Sequence, residues 1–201
     1  NWYKNNSSCV VSDTPTDGTH VTTVPDGVGK VIMTRSISRV QFTSLKSNFT
    51  AQYAGVTFKI DSIYLANVRN NATVMGEEDT EADYFRGGPV EFAVIQGLID
   101  PEANVNASFA KTYETPLVLS SESGELDATA LGFDKYINAN QPEYAEEDGY
   151  LTRLLITGTL MDGDRELGKK YFHIPLKLVD DTGNVASIKF FKISATITGE
   201  G

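Results

Sequence analysis

Histidine, cysteine and tryptophan are almost missing from these 201 residues, and each shortage excludes something. One cysteine, Cys9, allows no intrachain disulfide and no thiolate metal cluster. It stands in a polar stretch (NNSSCVVSD) with no apolar run before it, so it does not read as a lipid-anchor cysteine behind a signal peptide. The two histidines, His20 and His173, lie far apart, and no HExxH, GxSxG or Walker pattern accompanies them. A Ser-His-Asp site can still assemble in space, because chain order does not forbid it. The inventory nonetheless points away from an enzyme, and no cofactor is expected.

Long apolar runs are missing too. No segment supplies the ~18 consecutive apolar residues that a spanning helix requires. There is no initiator Met, no basic n-region and no h-region, so a processed or truncated product is expected. Basic charge is short: 17 Lys and Arg stand against 27 Asp and Glu, for a net charge of −10. Phosphate contacts need clustered cations, so nucleic acid is excluded as a partner and an anionic membrane surface is disfavoured.

What the chain does have is alternation. In Ile188–Gly201 (IKFFKISATITGEG), Phe191, Ile193, Ala195 and Ile197 fall on one face, and Lys192, Ser194, Thr196 and Thr198 on the other. A period of two marks a half-buried strand. Tyr150–Leu160 and Lys170–Val179 read as strands before it, the second with Phe172, Ile174, Leu176 and Leu178 on one face and His173 on the other. Asp162-Gly163-Asp164 and Asp180–Asn184 are the turns between them. Strands at short spacing with turn signals predict an all-β, antiparallel sandwich with at most short helices in loops. Residues 1–29 are an irregular N-terminal segment or edge strand, and 30–201 the sandwich domain.

The earlier strands change phase. Ile37 has one parity and Val40 and Phe42 the other, which a bulge near Ser38 would reconcile. Val56, Phe58 and Ile60 share one parity and Ile63 and Leu65 the other, with the switch at Asp61–Ser62. Ser108–Ser120 reads as two strands broken at Pro116, and a short helix is expected near Asp134–Ala139. Gly87-Gly88-Pro89 breaks the chain, and Val90–Ile99 is ambiguous between strand and helix. Met75–Arg86 and Gln141–Asp148 are acidic loops.

Paired carboxylates in those acidic runs are better read as solvated loops than as a glycosidase pair. Asp162 and Asp164 are weak calcium candidates, since neither turn supplies the ligand spacing of an EF-hand. The aromatic residues are mostly interleaved with β-branched ones, which favours core packing over a sugar-binding surface.

Three ordered segments resemble the fimbrillin family, the type V pilin and Mfa-like surface proteins of Bacteroides-type bacteria. They are Met33–Val40 (MTRSISRV), Phe58–Val68 (FKIDSIYLANV), and the stretch from Tyr150 onward with its LLITGT, KKYFHIPL and closing ISATITGEG runs. Ser38 stands where the family usually has Ala, and Ile188-Lys189 where it often has Arg-Asn. The segments are similar to the C-terminal domain of a fimbrillin. That resemblance implies a transthyretin-like sandwich with Greek-key features, at the cell surface, in a fimbrium on the outer membrane of a Gram-negative bacterium. It implies polymerisation with other pilin subunits, identical or different, by β-strand donation after an N-terminal strand is trimmed behind an Arg. The family's processing site belongs to its first domain, so neither Arg35 nor Arg39 is assigned that role. The terminal strand has the form a donor needs, with Phe191, Ile193, Ala195 and Ile197 as the inserting side chains. The same four can instead complete the domain's own core. The alternative function is a solitary surface module that recognises glycan or host protein through loops near Tyr84–Phe85 and Tyr144.

Overall fold

A computed structural model describes residues 19–22, 31–34, 37–70, 84–90, 97–138, 150–176 and 190–199, and thirteen strands lie among the described residues. They are β1 (Thr19–Thr22), β2 (Val31–Thr34), β3 (Ile37–Ser47), β4 (Val56–Ala66), β5 (Val68–Arg69), β6 (Tyr84–Arg86), β7 (Asn104–Val105), β8 (Ala110–Ser120), β9 (Glu125–Asp127), β10 (Asp134–Asn138), β11 (Arg153–Asp162), β12 (Arg165–Pro175) and β13 (Phe190–Ile197). A four-residue helix, α1 (Ala128–Leu131), joins β9 to β10. The fold is all-β, and two four-stranded sheets make the sandwich. One has the order β12-β11-β4-β8; the other has β10-β3-β13, with β9 also on β3. Val40, Phe42, Leu45, Ile193 and Ile197 of one sheet meet Phe58, Ile60, Leu154, Ile156 and Leu160 of the other in one core. Of the acidic loop expected over 75–86, residues 84–86 form β6 and the rest lie outside the described residues, as do residues 91–96 of the ambiguous stretch, the loop expected over 141–148, the turn expected over 180–184 and most of the first 30 residues; β1 pairs β2 antiparallel.

The phase switch in β4 is a bulge where the parity places it. Thr157 pairs Ser62 and Gly158 pairs Ile60, so Asp61 is the extra residue. The bulge keeps Phe58, Ile60, Ile63 and Leu65 all in the same core despite their opposed parities. Gly158 is what lets the strands close over it. A Cβ there would lie 2.2 Å from the Lys59 carbonyl oxygen and 2.9 Å from the Ile60 Cα.

The switch in β3 is not at Ser38. Ser38, Val40 and Phe42 all face inward, the register with β10 is unbroken from Ile37 to Gln41, and Ile37 points outward at 52% exposure. The irregularity falls at Thr43, which β13 skips, and the Thr43 hydroxyl donates to the Ile193 carbonyl at 2.7 Å. Parity misplaces the bulge because it takes every isoleucine to be inside.

Three further expectations shift. Asp134–Asn138 is a strand rather than a helix; the helix lies just upstream, capped by Asp127, whose carboxylate accepts from the Ala130 N–H at 2.8 Å, and ended by Gly132 at φ 55°. Pro116 interrupts the ladder without ending the strand, since pairing with β4 jumps from Leu117 to Thr112 within a continuous β8. Pairing is not wholly antiparallel: in the sandwich β13 runs parallel to β3, and in a separate three-stranded sheet, β5-β6-β7, β6 runs parallel to β7.

Ile63–Ala66 of β4 and Arg153–Ile156 of β11 are buried on both faces. Tyr64, Ala66 and Leu155 leave the main core for a second cluster with Val90 and Ile99, which caps the outer face. Gly87 and Gly88 allow that cap to approach, because a Cβ on Gly87 would sit 2.7 Å from both the Phe109 carbonyl oxygen and the Tyr64 Cβ. The Tyr64 hydroxyl donates to the Pro89 carbonyl at 2.7 Å, and burial pushes its pKa up.

Asn67 ties the end of the pair together. It is fully buried at φ 55°, a left-handed conformation that Asn tolerates better than most side chains. Its amide donates to the carbonyls of Leu98 and Leu151, each at 2.8 Å, and accepts from the Asp100 N–H at 3.0 Å. The Thr152 hydroxyl donates to its carbonyl at 2.8 Å.

Two substitutions test this frame. Gly158→Ala forces backbone against backbone and is expected to destabilise by at least the ~1–3 kcal/mol typical of overpacking. Asn67→Ala removes the side-chain partner of the Leu151 carbonyl and the Asp100 N–H, loosens the Leu98 carbonyl and places Ala at φ 55°, and the expected loss is about 2–4 kcal/mol. Urea unfolding midpoints report both; an unchanged midpoint in either variant would show that the corresponding contact does not constrain the native state.

Candidate functional site: the seam between two strand edges

Among the described strands, β12 and β13 each stand at the end of a sheet, β12 paired with β11 and β13 with β3. Both edges border one opening, a cavity of about 310 Å³. Its floor is apolar: Ile156, Phe172 and Ile174 from one sheet, Ala195 and Ile197 from the other. Phe172 meets Phe58 edge to face, with ring centres 5.2 Å apart. Phe172, Ile174 and Ala195 are only partly buried, so the core is incompletely covered here.

The sequence accounts for each wall. In β12 the alternation sends Phe172 and Ile174 inward and leaves His173 outward. β12 begins after a two-residue turn, Gly163-Asp164, in which Gly163 has φ 59°. In β13 the same alternation turns Phe191, Ile193, Ala195 and Ile197 toward the core. Ile193 and Ile197 are buried in this chain's own sandwich, and Phe191 and Ala195 pack against it. The ladder continues past the strand, where the Asn48 N–H donates to the Ile197 carbonyl at 2.8 Å.

Rim polarity centres on His173. Its Nδ1 lies 3.1 Å from Arg153 Nη1. Arginine has no acceptor, so Nδ1 accepts and the imidazole is neutral, with its proton on Nε2. Arg153 is itself buried and its Nε donates to the Leu98 carbonyl at 3.3 Å. Protein atoms around the imidazole, and then the Arg153 charge, hold the His173 pKa below its ordinary value.

The other candidates fall elsewhere. Asp162 and Asp164 lie at the hairpin turn and are exposed; among the described residues no group of three or more His, Cys, Asp or Glu side chains converges as a metal site would require. Tyr84 is buried in β6, and Phe85 packs near Phe109 with ring centres 6.1 Å apart, so neither is presented as a recognition loop. Phe85 packs against the main core, and Tyr84 meets Tyr150 edge to face with ring centres 5.8 Å apart. Tyr144 lies outside the described residues. The contribution of β12 to the opening is only half visible in the sequence: the Phe172/Ile174 spacing is legible, but which strand lies across from β13 is not. The Arg153–His173 contact leaves no sequence signal, because it depends on cross-strand register. No family model matches the chain, and no curated protein matches it.

The His173 geometry has a pH consequence. The unfolded imidazole titrates near 6.5 and the folded one below it, so the unfolded chain binds more protons between those two values. Stability is therefore full above about 6.5. It falls as the pH drops below that value and levels off beneath the folded pKa. His173→Gln should remove this part of the acid sensitivity, read as urea midpoint against pH; an identical slope in the variant would mean that His173 is not the group responsible.

Proposed function

We propose that this chain is a structural subunit of a cell-surface fimbria that assembles by β-strand addition. One observation carries the reading: the seam, where β12 and β13, each at the end of its sheet among the described strands, flank an apolar floor that the chain covers only in part. Unpaired N–H and C=O groups at a sheet edge are templates for another strand. An incoming β13 would lay Phe191, Ile193, Ala195 and Ile197 against the core beside Ile156, Phe172 and Ile174, while its main chain rebuilt the ladder with β3. The resemblance to fimbrillins, whose subunits join in this way, supports the same reading.

The candidate donor side chains Phe191, Ile193, Ala195 and Ile197 already have partners in their own core. Donation therefore takes the form of exchange. A strand that leaves its own β3 and enters the β3 of a neighbour loses and regains the same contacts, so the net free-energy change is small. The barrier is large, which gives polymers that persist kinetically.

Material sheared from producing cells and run in SDS should show a ladder that collapses only on boiling. Ala195→Arg places a long cation over the floor of the seam and should leave monomers alone, with an unchanged circular dichroism spectrum. A ladder that survives Ala195→Arg, or monomers alone in the parent protein, would overturn assembly through this seam.

A further inference from the structure

Three exposed large apolar side chains share one sheet face: Ile37 at 52%, Tyr136 at 65% and Phe190 at 46% exposure. They lie on the outer side of β3, β10 and β13, opposite the core, where alternation calls for polar groups. Register aligns them in rows. Tyr136 stands opposite Arg39, and Arg39 opposite Phe190; in the adjoining row Asp134 stands opposite Gln41, and Gln41 opposite Lys192.

The Arg39 guanidinium lies 5.7 Å from the Tyr136 ring centre and 4.6 Å from that of Phe190. Asp134 grips it through two hydrogen bonds, from Nε at 2.9 Å and from Nη2 at 2.5 Å. Lys192 Nζ sits 5.1 Å from the Phe190 ring centre. These contacts fix both rings in place yet leave much of their surface open. A platform already ordered loses little entropy when something lands on it.

We infer that this face binds a glycan. Its rings stack their apolar C–H faces on Tyr136 and Phe190, and its hydroxyls exchange hydrogen bonds with Asp134, Gln41 and Lys192. Size separates this occupant from a protein. A stable protein interface covers roughly 800 Å² per partner. Two aromatics at about 150–250 Å² each, with one isoleucine beside them, fall short. Polarity points the same way. An apolar partner would strip water from the Arg39–Asp134 pair and incur the cost of its desolvation. Sugar hydroxyls replace that water. The face carries Arg39 and Lys192 against Asp134, a local cation excess on a chain of net charge −10, so acidic sugars have an added attraction. This surface is a sheet face and not a strand edge, and glycan binding there is independent of assembly at the seam.

Calorimetric titration of the whole chain with linear neutral hexose oligosaccharides and, separately, with uronic-acid oligosaccharides tests this. Binding is expected, with Tyr136→Ala and Phe190→Ala each weakening it roughly tenfold. Val118→Ala, at a position similarly exposed on the other sheet, should leave it unchanged. Uronic-acid binding should also weaken as salt is added. Absence of binding to both sets, or parental affinity in the two ring variants, would overturn the inference. So would self-association of the parent, seen by sedimentation and lost in both variants, since the face would then belong to a second copy.

Discussion

Everything else hangs on the pairing of β4 with β11. The two strands lie at the centre of one sheet, and where Ile63–Ala66 meets Arg153–Ile156 they are buried on both faces, by the opposite sheet on one side and by the cap of Val90 and Ile99 on the other. Double burial is unusual for an antiparallel pair, which more often keeps one face wet. From Ile63 on it requires apolar residues of both parities, and the bulge at Asp61 sets which of them face the core: Ile63 and Leu65 stay with Phe58 and Ile60, while Tyr64 and Ala66 turn to the cap. The bulge in turn requires a residue without a Cβ opposite it, and Gly158 is that residue. At the far end Asn67 fixes where the pair stops and holds the loops that follow it. These features depend on one another: the bulge without Gly158 would clash, and the cap without Asn67 would lack its anchor.

A rigid centre has a consequence at the periphery. Four strands on each side of a sandwich leave edges, and an edge is a liability unless it is covered or charged. β12 carries Arg165, Glu166, Lys169 and Lys170 at its start but Phe172, Ile174 and Pro175 at its end. Charge therefore guards one half of the edge, and the other half opens over the apolar floor of the seam. Proline at position 175 removes one main-chain donor. A strand added here would find its ladder on the short segment between the cations and the proline, or on β13 across the opening.

Local periodicity is readable where one face is wet. β12 and β13 alternate cleanly because each has a solvent side, and spacing alone identifies their inward residues. The bulge at Asp61 is legible for a related reason: within a strong apolar run, a parity switch leaves the strand little choice but to insert a residue. Legibility ends where an apolar residue stands outside. Ile37 has the parity of a core residue out of phase, and a bulge at Ser38 is what would turn it inward, yet the strand runs regularly there and Ile37 faces water. Asp134–Asn138 reads as a helix because a five-residue strand at a sheet margin has too little pattern to distinguish it from a turn of helix. The candidate site is half legible. One wall shows in the sequence as a strand with a greasy face; that it runs parallel to β3, and that β12 faces it, depends on strand order, which no local pattern encodes.

β13 links the two surfaces that matter most. Its inward side chains close the core, its side away from β3 borders the seam, and its outward Phe190 and Lys192 complete the row beside Arg39. Exchange of β13 between neighbours would carry all three roles at once. The aromatic row would then be composite, with Tyr136 and Arg39 from one subunit and Phe190 from the next. Because the register places Phe190 opposite Arg39, a swapped strand that restores the parallel ladder restores the row with it. A strand seated one residue out of step would turn Phe190 inward and bring Phe191 out, since a slip of one reverses every side chain. The outer face thus favours the same register as the core does, and the Arg39–Phe190 contact helps to select the correct seating of the strand.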